Sequence, residues 1–336
     1  MEANGAPLPF QNPIRDAISR VRFAPQSDNL LISSWDSCLR LYDVGSSELR
    51  LEAPSKAPLL DCCFQDESLA FISGSDGFIR RYDLHSGTSE VIGNHADLST
   101  CIGYSDATCQ VIITGLHKKI LSWDTRMEKD LLCLVNLGSE VDSMSISGFD
   151  IMLAVGTSVY MYDLRNLSRS VQSKKSDMDL RIKCVSSVPY SKGFAAGSVD
   201  GRVALEMSFS ANSDDITSNF SYTFRCHPKS ANKRLHLVSV NDIVFNPLIG
   251  SAFFTGDNNG YVSAWNAQSR KRLFELPRYP NSVASLSMNH KGQLLAVASS
   301  YTYQEANEIE EPPQIFIKDI GNCSIRSVSS GSSSSH

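Results

Sequence analysis

The sequence lacks the features of a membrane protein, a secreted protein or a helical enzyme. No run of about 18 apolar residues occurs along its 336 residues, which argues against a membrane-spanning helix. Its start, MEANGAPLPF, has neither the basic residues nor the apolar stretch of a secretory signal, so we expect an intracellular protein. Helix signals are nearly absent throughout, unlike in α/β enzymes.

Catalytic and metal-binding motifs are missing as well. The chain has no GxSxG, no GxxxxGK[ST] and no HExxH,. Its seven histidines are scattered over the loops, and its nine cysteines include no CxxC pair, as expected of reduced, buried thiols. Six cysteines fall in or beside predicted strands: Cys38, Cys62, Cys63, Cys101, Cys133 and Cys184. We predict no enzymatic activity, no cofactor and no metal.

The charge balance bears on the class of partner. The chain carries 31 Lys and Arg against 36 Asp and Glu, a formal net charge of -5, which argues against a general nucleic-acid surface. We therefore expect no direct nucleic-acid partner. We also expect no membrane partner and no ubiquitin-like activity.

What the sequence does contain is a repeat. In LLISSWDSCLRLYDV, two short apolar strands, Leu30 to Ser33 and Leu39 to Tyr42, flank a polar turn and end in a Tyr-Asp pair,. Six related stretches follow: FISGSDGFIRRYDL, IITGLHKKILSWDTR, LAVGTSVYMYDLR, FAAGSVDGRVALEM, FFTGDNNGYVSAWNAQ, and a stretched copy from LAVASSY to IFIKDI. The first four steps between their ends, 39 to 43 residues, match the period of WD40 propeller blades.

Seven copies predict an all-β fold, a single seven-bladed WD40 β-propeller over residues 1–320. One such sheet leaves its faces and edges uncovered, so the blades must stack around an axis. We expect an N-terminal segment such as Leu8 to Asn12 to complete the last blade, and the Ser-rich tail, 321–336, to be disordered. An open ring of six blades is the alternative. Stretches without repeat character are predicted as three connectors, 165–179, 208–219 and 228–236, and an enlarged hairpin, 304–313.

Two positions stand out as candidates for binding a peptide. Trp35 lies in a strand-to-strand turn, where a large flat side chain suits burial of a partner; the alternative is that its ring covers a neighbouring blade. Arg202 follows the fifth turn and shares one strand face with Ala204 and Glu206. Its guanidinium suits a partner carboxylate, and an ion pair within the blade is the alternative.

Further charged groups lie in the turns and connectors. A basic group between the fifth and sixth blades, which includes Arg225 and His227, suits a phosphorylated peptide, unless it is only solvated. A second set, Arg270 to Arg272 with Arg278, is predicted on the opposite rim or outer edge. The turn acids could form a metal-binding ring, although hairpin stabilisation explains them more simply: Asp36, Asp76, Asp200 and Asp257.

In these residues the chain resembles the mitotic checkpoint WD40 family, the budding-uninhibited-by-benzimidazole propellers, and more distantly the RNA-export propellers of the nuclear pore. The most specific matching stretches are SSWD, GRVALE and KRLFELPRYPNSVASL. The resemblance spans about Asp16 to Ile320. It implies a spindle assembly checkpoint adaptor found in the nucleus, at kinetochores and centromeres in mitosis, and in the cytoplasm.

The family binds a short acidic GLEBS motif of checkpoint kinases and related checkpoint proteins, and it resembles readers of phosphorylated kinetochore scaffold peptides. Its tryptophan matches Trp35, its glutamate-pairing arginine matches Arg202, and the basic residue of its F-[KR]-x-H stretch matches Arg225. Two departures lie near the phosphopeptide side: Val238-Ser239 replaces an aromatic-Pro pair, and Pro228 replaces a basic residue.

Three other functions compete with this interpretation. An RNA-export propeller would hold the same class of motif in a nucleoporin. A substrate receptor of a cullin ubiquitin ligase is suggested by the WDxR ending of the third repeat, Trp123 to Arg126, although His117 stands where the full motif has Asp. A propeller hydrolase would require a metal or a substrate-dependent activity.

Overall fold

A computed structural model describes residues 5–94, 98–127, 131–176, 178, 180–189, 193–207, 220–226, 238–302 and 311–321. Within these ranges the chain forms seven antiparallel sheets of four strands each and no helix; it therefore contains no helix able to cross a membrane. The inner strands of successive sheets lie side by side. The predicted all-β, seven-bladed propeller is confirmed.

The strands of each blade are lettered a to d from the central channel outwards. Blade 1 contains β2 (Ile18–Phe23), β3 (Asn29–Ser34), β4 (Cys38–Asp43) and β5 (Glu48–Pro54), and blade 2 contains β6 (Leu59–Phe64), β7 (Leu69–Gly74), β8 (Phe78–Asp83) and β9 (Ser89–Asn94). Blade 3 contains β10 (Cys101–Ser105), β11 (Gln110–Thr114), β12 (Lys119–Asp124) and β13 (Leu131–Asn136), and blade 4 contains β14 (Ser143–Ser147), β15 (Asp150–Val155), β16 (Ser158–Asp163) and β17 (Gln172–Lys175). Blade 5 contains β18 (Ile182–Ser187), β19 (Phe194–Ser198), β20 (Arg202–Met207) and β21 (Phe220–Arg225), and blade 6 contains β22 (Val240–Phe245), β23 (Ala252–Asp257), β24 (Val262–Asn266) and β25 (Lys271–Glu275). Blade 7 contains β26 (Val283–Met288), β27 (Leu294–Ser299), β28 (Gln314–Asp319) and, as its outer strand, β1 (Ala6–Pro7).

Burial follows the position of a strand within its blade. The b strands are covered on both faces by neighbouring blades, and β11, QVIIT, is buried at all five positions. The d strands face solvent, and β5, ELRLEAP, is mostly exposed or half-buried. The second strand of each blade is therefore a continuous apolar run, whereas the outermost strand alternates polar with apolar residues.

Blade 7 is joined to the start of the chain. Ala6 pairs with Ile317 and Pro7 with Phe316, and the Leu8 amide donates to the Ile315 carbonyl at 2.8 Å. The strand thus lies two residues before the predicted segment. Phe10 packs edge-on against the ring of Tyr42 in blade 1. Of the predicted segment, Leu8 and Phe10 are half-buried against the core, and the other three residues are exposed.

A single guanidinium links the inner strands across the channel. Arg20 Nε lies 3.0 Å from Asp61 Oδ1, and Nη1 lies 3.3 Å from Asp242 Oδ2. Asp61 also accepts the amide of Ile102 at 3.0 Å, and Asp242 accepts that of Leu286 at 2.8 Å. Burial opposes the charge of Arg20, but the two carboxylates more than offset it and raise its pKa. Blades 1, 2, 3, 6 and 7 are connected in this way.

Two other predictions can be compared with the strands. β17 lies inside the predicted connector 165–179, so that part of the prediction is wrong. The connectors 208–219 and 228–236, residues 304–310 of the predicted hairpin, and 322–336 of the tail lie outside the described residues.

The cysteines behave as buried thiols. Five of the six cysteines assigned to strands are buried and free: Cys38, Cys62, Cys63, Cys101 and Cys184. Burial raises the pKa of Cys62 and of Cys101 to about 12. These thiols therefore stay protonated and unreactive at neutral pH.

The two rims of the ring carry different connections. On the upper rim, b–c turns meet the connections between blades, as where the Ser75 amide donates to the Pro58 carbonyl at 2.8 Å. On the lower rim, a–b turns meet c–d turns, as where the Leu84 amide donates to the Ser68 carbonyl at 2.8 Å. The a strands run in one direction, since the amides of Val185 and Ser187 bond Ser143 and Ser145 in step.

Candidate peptide-binding site

The turn acids of the upper rim stabilise their own turns. Asp36 accepts the Cys38 amide at 3.2 Å and pairs with Arg40 at 2.8 Å; Asp76 pairs with Arg80 in the same way. Although burial opposes its charge, the bonds from Arg40 and Ser34 hold the pKa of Asp36 below its ordinary value. Within the described ranges, no three His, Cys, Asp or Glu side chains form a group able to hold a metal ion.

Trp35 lies on this rim beside the buried Asp36–Arg40 pair. Its backbone amide donates to the carbonyl of Ala17 at 2.8 Å, which fixes the turn against the connection into β2. Its side chain is left with 42% of its surface exposed. The backbone of the turn is held by a hydrogen bond while the residue is accessible, a combination that suits binding without a large loss of conformational entropy,.

In blade 5 the structure brings together two arginines that the sequence presented separately. Arg202 and Arg225 are directly opposite each other in the pairing of β20 with β21. Arg202 Nε lies 2.7 Å from Asp200 Oδ2, and Arg225 Nη2 lies 3.2 Å from the same oxygen. Burial opposes the charge of Asp200, but bonds from Ser198 and Arg202 lower its pKa. The carboxylate therefore orients two partly exposed guanidinium groups.

Glu206 lies towards the lower end of β20. Its carboxylate pairs with Lys174 of β17 in blade 4. Four strand residues span about 13 Å, so a common face does not bring the two side chains into contact. The structure places Glu206 between two blades, away from Trp35 and from the start of β20.

Trp35 and Arg202 share the upper rim but lie on different sides of the ring. Trp35 belongs to blade 1 and Arg202 to blade 5, with blades 6 and 7 between them on the shorter way round. A ligand that contacts both must therefore cross the mouth of the channel as an extended segment. His227 and the rest of its basic connector lie outside the described residues.

Two further cations lie along this rim. Arg278 Nε donates to the carbonyl of Asn259 in the b–c turn of blade 6 at 2.8 Å, so Arg278 lies on the upper rim. The other members of its predicted set, Arg270 to Arg272, lie at the c–d turn on the lower rim, as predicted. Lys183 of β18 donates to Asn241 Oδ1 of the next blade at 2.7 Å, and burial lowers its pKa to about 8. Sequence reasoning missed Lys183 because a single lysine in an apolar strand forms no pattern.

One departure from the family's pattern can also be located. Ser239 is buried, and its hydroxyl donates to Asn241 Oδ1 at 2.7 Å. Both Ser239 and Lys183 thus converge on one amide oxygen. A proline at position 239 could not form this bond, so the change alters the hydrogen bonding at the start of β22.

Comparison with known proteins gives relatives along nearly the whole chain. Residues 10–43 match the family model described as WD domain, G-beta repeat. The chain is 55% identical to mitotic checkpoint protein BUB3.3 of Arabidopsis thaliana, over 94% of this chain and 99% of that protein. It is 37% identical to BUB3.1 of the same plant, over 94% of each chain. It is 28% identical to the poly(A)+ RNA export protein of Schizosaccharomyces pombe, over 92% of this chain and 89% of that protein.

Proposed function

This chain belongs to the BUB3 family of mitotic checkpoint proteins, and we propose that this spindle checkpoint adaptor works by binding the acidic GLEBS motifs of checkpoint kinases and related proteins across its upper rim. Its partners are checkpoint proteins. The adaptor carries them to kinetochores so that anaphase waits for spindle attachment. It acts in the nucleus, at centromeres in mitosis, and is also found in the cytoplasm.

The observation that carries the proposal is that one rim presents an exposed indole on one side of the channel and two oriented guanidinium groups on the other. Arg202 and Arg225 flank Asp200 at 2.7 and 3.2 Å, so their forks are held in place before a ligand arrives. Trp35 supplies the apolar contact that aromatic hot spots provide at protein interfaces. An acidic segment with an apolar residue satisfies both ends of this arrangement.

Arg225 is the residue that we assign to a phosphorylated kinetochore peptide. A phosphate carries nearly two charges and three acceptor oxygens, which suits a guanidinium one strand away from another. Glu206 has no part in this contact, because its carboxylate pairs with Lys174. The role of Glu206 is to hold blades 4 and 5 together.

The protein binds and does not catalyse. Its turn acids are paired with arginines or backbone amides, and six of the seven free cysteines in the described ranges are buried. We assign it no cofactor, no metal and no direct contact with membrane or nucleic acid.

A peptide titration tests the proposal. A synthetic GLEBS peptide is titrated into the full-length protein and its Arg202→Glu and Trp35→Ala variants by calorimetry. Removing the arginine leaves a ligand carboxylate without a partner, so we expect a loss of about 2–5 kcal/mol. Arg165→Glu is the matched control, because Arg165 is an exposed arginine that pairs with the acid of its own turn, Asp163, on the lower rim. Normal binding by Arg202→Glu would exclude the proposed site.

Export of RNA through a nucleoporin GLEBS motif is the second candidate function. The similarity to the RNA export protein of S. pombe favours it. Both functions use the same rim, so peptide affinity alone does not separate them. Affinity purification from mitotic cells, with a fluorescent fusion followed in prometaphase, distinguishes checkpoint kinases at kinetochores from nucleoporins at the nuclear rim.

A further inference from the structure

A groove on the lower rim, between blades 2 and 3, has no part in the proposed function. Its volume is about 430 Å³, within the range of about 300–1,000 Å³ that ligand pockets have. Its apolar lining consists of Phe71, Ile92, Val111 and Trp123. Met127 stands at its edge with 56% of its surface exposed.

The equivalent wedge between blades 5 and 6 is filled by aromatic side chains. The ring centroid of Phe224 lies 4.7 Å from that of Trp265. Beside it, the Tyr222 hydroxyl donates to the Ala267 carbonyl at 2.7 Å. The outer strand of blade 5 is therefore joined to the third strand of blade 6 by packed rings.

Blade 2 differs from blade 5 at the residues that fill this wedge. The positions are matched by counting from the Asp-Gly of each b–c turn and by cross-strand pairing. The replacements are Arg81 for Leu205, Glu90 for Tyr222 and Gly93 for Phe224. An ion pair and a glycine thus stand where blade 5 has three apolar side chains. The buried indole of Trp123 packs against Gly93 and forms the floor of the groove.

Charges of opposite sign border the groove. On the blade 3 side, Arg126 Nη2 lies 2.5 Å from Asp124 Oδ2, with the arginine side chain 66% exposed and the carboxylate 9% exposed. On the blade 2 side, Arg81 Nη2 lies 2.6 Å from Glu90 Oε1, and Glu90 is the more exposed of the two. One side therefore presents a cation to solvent and the other a carboxylate.

We propose that this groove binds a short linear segment of a partner protein, with an aromatic or aliphatic anchor flanked by one acidic and one basic residue. The anchor packs on Ile92 and Met127, above the buried indole of Trp123. The acidic residue extends the ion pair of Arg126, and the basic residue extends that of Glu90. Because the groove lies on the lower rim, the upper rim stays free and the ring can hold two partners at once.

The test uses fluorescently labelled synthetic peptides with a central Phe, flanked by Asp and Arg in both orders, and matched peptides with Ser in place of Phe. Binding to the full-length protein is followed by fluorescence anisotropy. The Arg81→Leu/Glu90→Tyr variant restores two of the three side chains that fill the wedge between blades 5 and 6. We expect it to bind the Phe peptides about tenfold more weakly or worse, with a melting temperature equal to the wild type or about 2–4 °C higher.

Two single variants complete the experiment. Met127→Glu changes the edge of the groove at an exposed position and is expected to weaken binding with no change in melting temperature. Leu248→Glu changes a more exposed apolar residue of the lower rim, in blade 6, and is expected to bind as the wild type does.

Three results would overturn the proposal. The first is that no Phe peptide binds better than its Ser counterpart. The second is that the Arg81→Leu/Glu90→Tyr and Met127→Glu variants bind as tightly as the wild type. The third is that sedimentation shows a dimer that the filled variant abolishes, because the groove would then be an interface between copies of this chain.

Discussion

Replacing Asp200 by Asn removes the charge that holds Arg202 and Arg225 in position. The carboxylate is buried, and it accepts bonds from both guanidinium groups and from the Ser198 hydroxyl. Breaking a buried pair costs about 3–5 kcal/mol. The two arginine side chains are 24% and 33% exposed, so water replaces part of the lost interaction, and we expect a loss of about 2 kcal/mol near neutral pH.

The pH dependence of this loss follows from the lowered pKa of Asp200. A carboxyl whose pKa is lower in the folded state than its ordinary 3.8 contributes stability above that value, and the contribution disappears as pH falls through the folded pKa,. The difference in the free energy of unfolding between wild type and Asp200→Asn should therefore be full near neutral pH. It should shrink as the pH falls below 3.8.

The assay is urea unfolding followed by circular dichroism, combined with titration of the GLEBS peptide. Asp76→Asn is the matched control, because Asp76 holds Arg80 in the corresponding turn of blade 2. Both variants should lose stability, but only Asp200→Asn should lose peptide affinity, since its arginines are no longer pre-oriented. Equal stability of wild type and Asp200→Asn, or a difference that persists unchanged in acid, would refute the reasoning.

Three other perturbations have defined outcomes. Trp35→Ala should weaken GLEBS peptide binding about tenfold or more and leave the melting temperature nearly unchanged, because Trp35 is exposed. A parallel loss of stability would show that the ring covers a neighbouring blade. Burial lowers the pKa of Lys183 from 10.5 to about 8. Below pH 8 this lysine is charged in the folded and the unfolded protein, whereas between pH 8 and 10.5 it is charged only in the unfolded protein. The stability of the wild type relative to Lys183→Met should therefore rise by about 3 kcal/mol over that interval. The same pH dependence for both proteins in urea unfolding would contradict this expectation. Gly256→Ala places a methyl group against Val283 of blade 7 and should lower the free energy of unfolding by about 1–3 kcal/mol, measured by urea unfolding. Gly138→Ala is the control for backbone strain alone, because Gly138 has positive φ but no neighbouring atoms within contact distance.

The fold could be predicted because its signal is repeated. Each blade has an apolar b strand covered on both faces, so the same run of residues recurs at a nearly fixed period. β17 was missed because Gln172–Lys175 faces solvent on an outer edge, where nothing selects apolar residues. The closing strand was placed two residues late because Leu8 and Phe10 are apolar for packing, while Ala6–Pro7 supplies the backbone pairing.

The candidate site could be predicted only residue by residue. Trp35 is recognisable locally, since a tryptophan in a polar turn has no core to enter. The meeting of Arg202 with Arg225 depends on the register of β20 with β21, which no local pattern specifies. Strand periodicity correctly put Arg202 and Glu206 on one face, but it gives no information on which acid lies within reach, and Asp200 is the nearer one.

The inner strands hold the ring together and the rims bind partners, which explains how one ring can carry two binding surfaces. The a strands are joined by side chains that accept amides of the next blade, such as Ser285 with Val21 and Ser287 with Phe23. These bonds need only small polar residues facing the channel, so they place no demand on the turns or on the outer strands. A change at the outer edge, such as the ion pair of Arg81 with Glu90, can then open a wedge between two blades while the inner strands remain connected. Binding surfaces should therefore arise in this fold at rims and outer wedges.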